Sequence, residues 1–176
     1  MGVKHKLTIL GLGNILFKDE GFGVHFVRQF KKKYRFADNA RIIDGGTLGY
    51  ALMNIVCQTE HLLVIDTVKA NDKPGSIYRF HPEAIPSHIE YSVSAHEVEF
   101  LDLLLKAEMM GDAPQTTIIA IIPEDMHSVE MKLSSTMQDS LLGVEKLVIK
   151  EMKAVNIDNL IKDRHGWLES CCFGNR

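Results

Sequence analysis

The chain has 176 residues, with 20 Lys and Arg against 23 Asp and Glu, so its formal net charge is −3. This balance provides no general attraction for nucleic acid or for an anionic membrane surface, and neither is expected as a partner. Hydrophobic residues make up 45% of the chain. That proportion suits one substantial core, and we expect a single domain over residues 1–176.

Neither a secretion signal nor a membrane span is recognisable in the sequence. The N-terminal residues lack the combination of charged region, apolar region and cleavage site, and no apolar run approaches the ~20 residues of a span. We therefore expect a cytoplasmic protein without membrane insertion. Cys57, Cys171 and Cys172 have the spacing of neither a disulfide framework nor a zinc finger.

The first predicted strand leads through a sharp turn into a helix. Leu7, Ile9 and Leu10 have the pattern of a short buried strand, and the Gly-Leu-Gly sequence at 11–13 allows a tight exit. A helix is predicted over about 21–33. Glu20 comes just before it, so its carboxylate is expected near a helix N-terminus, beyond the carboxyl end of the strand.

Two further predicted strands also end in acidic residues. Residues 40–43 form a strand pattern that ends at Asp44, and residues 62–65 form a central strand that ends at Asp66. Between them, Thr47 is predicted to cap a helix with an apolar stripe. The strand ends therefore present carboxylates in succession.

The next strand is predicted to run in the opposite direction. Residues 71–75 form a turn, and residues 76–80 alternate between polar and apolar side chains. The connection from Asp66 is too short for a parallel crossover, which needs a dozen or more residues. The sheet is therefore predicted to be mixed, with one antiparallel strand.

A third helix is predicted to begin at a capping box made by Ser94 and Glu97, which places His96 in the first helical turn. The remaining predicted elements are a loop over 81–91, a buried strand over 116–122, a long final helix capped by Ser134 or Ser135, and a flexible tail over 156–176.

The residues that could bind a metal or take part in catalysis are Glu20, Asp44, Asp66 and His96. The strand pattern brings the three carboxylates to one edge of the sheet, where the helix carrying His96 can also begin. Carboxylate and imidazole ligands suit zinc, nickel, manganese or iron, and a site with so few ligands leaves positions open for catalysis. Each residue also has a purely structural interpretation as a turn or helix-terminus residue, and both interpretations stay open here.

Other constellations are weaker. Glu124, Asp125 and His127 could bind a metal, although the pattern favours an acidic, solvent-exposed loop. The sequence contains no Gly-x-Ser-x-Gly elbow, Walker pattern or legible serine or cysteine triad. The Gly-x-Gly at 11–13 lacks the third glycine of a dinucleotide fingerprint.

Four ordered motifs resemble the signatures of the nickel-iron hydrogenase maturation endopeptidases. They are GLGNILFKDEGFG at 11–23, DGGT at 44–47, VID at 64–66 and SAH at 94–96. The resemblance covers about residues 6–155 and implies an α/β fold of three layers, with a twisted, mixed five-stranded sheet between helices and one antiparallel strand. In that family a glutamate, an aspartate and a histidine bind nickel, and the matching residues here are Glu20, Asp66 and His96.

The resemblance implies removal of a C-terminal extension from a hydrogenase large-subunit precursor after nickel insertion. The nickel would belong to the precursor, which would be the partner, and the protein would have no tightly bound cofactor of its own. Glu20, Asp66 and His96 would then be both nickel ligands and catalytic residues. Asp44, Gly45, Gly46 and Thr47 would shape the substrate cleft. The isolated protein is expected to be a monomer.

Two alternatives stay open at this point. A peptidyl-tRNA hydrolase has a similar Gly-x-Gly-Asn start and sheet, but the acidic composition counts against RNA binding. A non-catalytic nickel-sensing chaperone would use the same three ligands to bind the precursor. The sequence departs from the resemblance mainly over 123–133 and beyond residue 155, and these regions are candidates for setting substrate choice.

Overall fold

The computed structural model describes residues 4–35, 38–90, 95–157 and 161–162. Within these ranges the chain forms the following strands and α-helices: β1 (His5–Leu12), α1 (Phe22–Lys33), β2 (Tyr34–Arg35), β3 (Ala40–Gly46), α2 (Met53–Cys57), β4 (Thr59–Thr67), β5 (Lys69–Ala70), β6 (Ile77–Phe80), β7 (Ile89–Glu90), α3 (Ala95–Met109), β8 (Gln115–Ile121), α4 (Ser135–Ala154) and β9 (Ile161–Lys162). Short 3₁₀ helices occupy Lys18–Gly21, Gly49–Leu52 and Pro82–Ala84.

The main sheet has five strands in the order β3-β1-β4-β8-β6. The first four are parallel to one another, and β6 is antiparallel to β8. The predicted mixed sheet with one reversed strand is therefore confirmed. The neighbour of β6 is β8 and not β4, because a short connection fixes the direction of a strand but leaves room for another strand to insert.

Helices cover both faces of the sheet, which confirms the three-layer architecture. Side chains alternate along β1, so Leu7 and Ile9 pack with α1 and α4, while Leu10 and Leu12 pack with α2 and α3. The central strand β4 is buried on both faces over most of its length. None of the helices in the described part of the chain has the length and apolar character of a membrane span.

Of the predicted helix caps, one is confirmed by the structure and one is wrong. Ser134 caps α4, as predicted, by accepting a hydrogen bond from the Met137 N–H at 3.4 Å. Thr47, in contrast, caps no helix: β3 continues to Gly46, and the following 3₁₀ helix has Leu48 as its N-cap residue without a side-chain cap. The predicted cap at Ser94 lies outside the described residues.

The segment predicted as a flexible tail is attached where the structure describes it. Ile157 is buried against the core beside α1 and α4. Two residues of β9 then pair antiparallel with β2, at the end of α1. The rest of the tail, 158–160 and 163–176, lies outside the described residues.

Candidate active site

Glu20 lies in the 3₁₀ helix Lys18–Gly21, which we call the Glu20 turn, and its side chain is half-buried. The turn packs against β4. Gly13 allows this approach because its φ is +120° and a Cβ there would lie 1.9 Å from the Glu20 carbonyl oxygen. Just beyond the turn, a Cβ at Gly23 would lie 2.1 Å from the Ile65 carbonyl oxygen. The start of α1 and the turn before it therefore lie directly on the end of β4.

Asp66 is the next residue along β4 after Ile65, and it is fully buried. One of its carboxylate oxygens accepts a hydrogen bond from the Thr67 N–H at 2.8 Å. Leu62 and Val64, which share its side of the strand, pack in the layer of α2 and α3. Because side chains alternate along a strand, Asp66 projects toward that layer.

His96 is the second residue of α3, which confirms that it lies in a first helical turn. Its side chain lies outside the described part of the structure. A two-strand ribbon joins the chain leaving Asp66 to the chain approaching α3, since Lys69 and Ala70 pair antiparallel with Glu90 and Ile89. Helix α3 itself packs against α2 and the 3₁₀ helix Gly49–Leu52, in the layer toward which Asp66 projects.

Asp44 reaches the same edge of the sheet but projects from the other face. Its register partner in β1 is Gly11, which also pairs with Ile65 of β4, so Asp44 lies level with Ile65 at a separation of two strands, about 10 Å. Its carboxylate accepts a hydrogen bond from Arg28 Nε of α1 at 2.7 Å. Asp44 is therefore held in an ion pair on the α1 side, away from Asp66.

The neighbours of Asp44 in the DGGT motif have structural roles that the structure makes clear. Gly45 is buried, and a Cβ there would lie 2.7 Å from the Leu10 side chain. Gly46 has a φ of +48°, which favours glycine, and Thr47 is exposed. The role of residues 44–47 in shaping a substrate cleft stays a prediction.

A cleft of about 430 Å³ opens at the edge where β4 and β8 end. It is lined by Lys69, Ala70, Asp72, Pro74, Ile122, Pro123, Glu124, Asp125, Met126 and His127. Its walls continue directly from Asp66 through β5 and from the last residues of β8. A larger cleft of about 570 Å³, lined by Leu104, Gln115 and Thr116 among others, lies at the other end of β8 and is remote from Asp66.

The Asp125 carboxylate of the 123–133 loop is bound mainly by groups of the loop itself. Asp125 accepts hydrogen bonds from the Ser128 hydroxyl at 2.6 Å and from the N–H groups of His127 and Ser128, each at 3.0 Å. The Ser128 hydroxyl and these N–H groups hold the pKa of Asp125 well below its usual range. Asp125 is therefore occupied as a structural residue.

Asp19 is the buried carboxylate that the sequence analysis overlooked. It is fully buried, whereas its neighbour Glu20 is only half-buried. Successive side chains of a 3₁₀ helix leave in different directions, so one of two adjacent acids can face inward. The sequence feature that could have indicated a buried acid here is the pair of adjacent acidic residues at 19–20, directly before an apolar helix.

The structure leaves the proposed ligand triad untested. Within the described residues, no group of three or more His, Cys, Asp and Glu side chains is placed to hold a metal ion. The His96 side chain lies outside the described part of the structure, so this absence does not extend to it. What the structure does provide is two carboxylates, one on the Glu20 turn and one at the end of β4, which the turn contacts. Such oxygen and imidazole donors suit a divalent transition metal.

The fold and this edge together define an α/β protein whose carboxylates gather where parallel strands end, next to a glycine-dependent turn. Comparison with known proteins identifies the class. The chain belongs to the hydrogenase maturation protease family, whose model matches residues 24–151. The match includes Asp66 and His96 and begins just after the Glu20 turn.

Individual relatives agree with this assignment. The chain is 36% identical over 123 residues to the hydrogenase expression/formation protein HupD of Rhizobium leguminosarum bv. viciae, covering 69% of this chain and 61% of HupD. It is 31% identical over 123 residues to the hydrogenase 2 maturation protease of Escherichia coli, covering 69% and 75%. Among solved structures, the hydrogenase maturating endopeptidase HybD from E. coli superposes with a TM-score of 0.82 at 26% identity, covering 89% of this chain and 97% of HybD.

Proposed function

We propose that this protein is an endopeptidase that removes the C-terminal extension of a nickel-iron hydrogenase large-subunit precursor, and that it recognises nickel carried by that precursor. Membership of the hydrogenase maturation protease family supports the peptidase activity and the class of substrate. Nickel recognition by Glu20, Asp66 and His96 is what the resemblance of the sequence motifs implies, and carboxylate and imidazole donors suit nickel.

The observation that carries the proposal is the approach of the Glu20 turn to the end of β4, where Asp66 lies. The turn contacts β4, and a Cβ at Gly23 would lie 2.1 Å from the Ile65 carbonyl oxygen. His96 would join these two residues from the first turn of α3. Two carboxylates and one imidazole form an incomplete shell for nickel. Nickel within the precursor would bring its own ligands, so the site is suited to a metal that is already bound to the substrate.

The proposed chemistry follows from this incomplete shell. Glu20, Asp66 and His96 would contact the precursor's nickel and position the scissile peptide beside it. The metal would then polarise the scissile carbonyl or activate a water for attack. Selectivity arises in the same way, because a precursor without nickel offers nothing for the three residues to bind.

The decisive experiment compares processing of nickel-loaded and nickel-free precursor by mass spectrometry. We expect wild-type protein to cut only the loaded form. Glu20→Gln, Asp66→Asn and His96→Gln should each lower the rate at least ~100-fold, because removal of a ligand costs no less than the ~10–100-fold loss seen for residues that merely support ligands. Glu60→Gln is the matched control, since Glu60 is an exposed acid at the opposite end of β4. Circular dichroism verifies that each variant is folded.

The other outcomes separate the alternatives. Cleavage of nickel-free precursor would contradict nickel recognition while leaving the peptidase intact. Tight binding of loaded precursor without any cleavage would favour the non-catalytic chaperone. Hydrolysis of a peptidyl-tRNA, with no cleavage of the precursor, would favour the peptidyl-tRNA hydrolase alternative.

A further inference from the structure

The Asp19 carboxylate is surrounded by backbone N–H groups. One oxygen accepts hydrogen bonds from the N–H groups of Glu124 at 3.1 Å and Asp125 at 2.9 Å, and the other accepts from the Ser134 N–H at 2.7 Å. Ser134 is the N-cap residue of α4, whose macrodipole also favours a negative charge there. Charge-assisted bonds from three donors satisfy a buried carboxylate without any cation.

The backbone on either side of Asp19 is bound to the same loop. The Asp19 N–H donates to the Asp125 carbonyl oxygen at 3.0 Å. Lys18 Nζ lies 3.3 Å from an Asp125 carboxylate oxygen and 3.7 Å from one of Glu130. Phe17 forms isolated β-bridges with the loop as well. The Glu20 turn and the 123–133 loop therefore form one connected unit.

The next residue, Glu20, has little freedom of its own. Its N–H donates to the Phe17 carbonyl oxygen at 2.8 Å, and its own carbonyl oxygen fits against Gly13. One side of the Glu20 turn is thus fixed by β1 and the other by Asp19. Loss of the Asp19 carboxylate bonds would leave the Lys18 ion pairs and the backbone contacts with the loop, but would remove the three bonds to Glu124, Asp125 and Ser134.

We propose that Asp19 is a positioning residue that, by binding the N–H groups of the 123–133 loop and of α4, holds the Glu20 carboxylate in place relative to Asp66. Asp19 itself is fully buried and both its oxygens are occupied, so it is not a ligand. The effect of Asp19 on processing rests on the proposed function, because that function gives Glu20 its role. The effect of Asp19 on the geometry of the Glu20 turn is independent of the proposed function.

The geometric arm of the test measures amide hydrogen exchange in two pairs of variants. In Asp19→Asn, we expect the amides of Glu20, Glu124 and Asp125 to exchange at least ~10-fold faster, after correction for global stability. Met152→Ala serves as a stability-matched control, because Met152 is fully buried at the far end of α4. It should leave these amides unchanged after the same correction.

A second pair isolates one hydrogen bond in case Asp19→Asn does not fold. Ser134 has a φ of −59°, which proline adopts, so Ser134→Pro removes the N–H that donates to Asp19. Ser134→Ala removes the same helix cap but keeps that N–H. Faster exchange in the proline variant than in the alanine variant, confined to the Glu20 turn and the loop, supports the proposal. Equal exchange in the two overturns it.

The catalytic arm measures processing of nickel-loaded precursor. A misplacement of about 1 Å in a reacting group can cost ~100-fold in rate, so Asp19→Asn should lower kcat by that order with little change in KM. A kcat equal to that of Met152→Ala at the same folded fraction would overturn the positioning role. If Glu20→Gln processes normally, the proposed ligand set fails instead, and the exchange data still decide whether Asp19 holds the turn.

Discussion

Replacement of Gly23 by alanine tests how the Glu20 turn reaches the end of β4. An alanine Cβ at this position would lie 2.1 Å from the Ile65 carbonyl oxygen and 2.4 Å from the Leu12 carbonyl oxygen. Both atoms belong to the backbone of central strands, which cannot rotate away as a side chain can. Helix α1 would have to withdraw by roughly 1.3 Å to move the Ile65 contact from 2.1 Å to an ordinary 3.4 Å.

The expected change in stability combines two opposing effects. Alanine is favoured over glycine by at most ~1 kcal/mol inside a helix, and less near its first turn. Overpacking against surroundings that can adjust costs ~1–3 kcal/mol, and rigid backbone places Gly23→Ala at or above the upper end of that range. We expect a net loss of ~2 kcal/mol or more. For a chain of this length that corresponds to a decrease in Tm of roughly 4–8 °C.

Urea unfolding followed by circular dichroism measures this change, with Gly143→Ala as the control. Gly143 lies within α4, and a Cβ there would lie 3.1 Å from the Ile77 Cδ1 atom, the mobile tip of a side chain. Its midpoint should equal or exceed that of the wild type. A Gly23→Ala midpoint as high as that of the wild type would refute the close approach of α1 to β4.

Two further predictions concern titrating side chains. Burial, together with a hydrogen bond to Glu145, raises the pKa of Tyr34 to about 12. Tyr34→Phe should remove a tyrosine transition near pH 12 from an ultraviolet titration and lower the free energy of unfolding by ~1 kcal/mol. Burial lowers the pKa of His25, with Arg28 acting in the same direction and Asp44 opposing it. The unfolded chain therefore binds more protons as the pH falls through about 6.5, and stability should decrease from pH 7.5 to 5.5 less steeply in His25→Gln than in the wild type. Equal slopes would contradict this reasoning.

The sequence predicted the fold wherever a local pattern determines the structure. The apolar runs before Gly11 and Asp66 became parallel strands, and Ser134 became a helix cap because its hydroxyl satisfies a free N–H. Non-local arrangements were harder to foresee. Insertion of β8 between β4 and β6 depends on pairing energies along whole strands, which no short motif encodes. Thr47 failed as a cap because pairing with β1 extends β3 through the two glycines.

The candidate site was predictable as a set of residues at one edge, but not as an arrangement of side chains. Asp44 reaches that edge as expected, yet strand alternation directs it toward Arg28 on the opposite face from Asp66. Asp19 and Glu20 are adjacent acids, but Asp19 is fully buried and Glu20 only half-buried. Which of them is buried depends on the N–H groups of a loop more than 100 residues away, and sequence spacing contains no information on that contact.

The anchoring of Asp19 also bears on how the 123–133 loop can differ in sequence while Glu20 stays in place. All three donors to the Asp19 carboxylate are backbone N–H groups, which every residue except proline provides. Side chains of the loop, including those of Met126 and His127 that line the cleft, can therefore change without loss of these bonds. The bonds to Asp19 hold the loop through its backbone, while side chains such as those of Met126 and His127 line the cleft. If this loop sets substrate choice, as we predict, those side chains could vary while the Asp19 bonds are preserved.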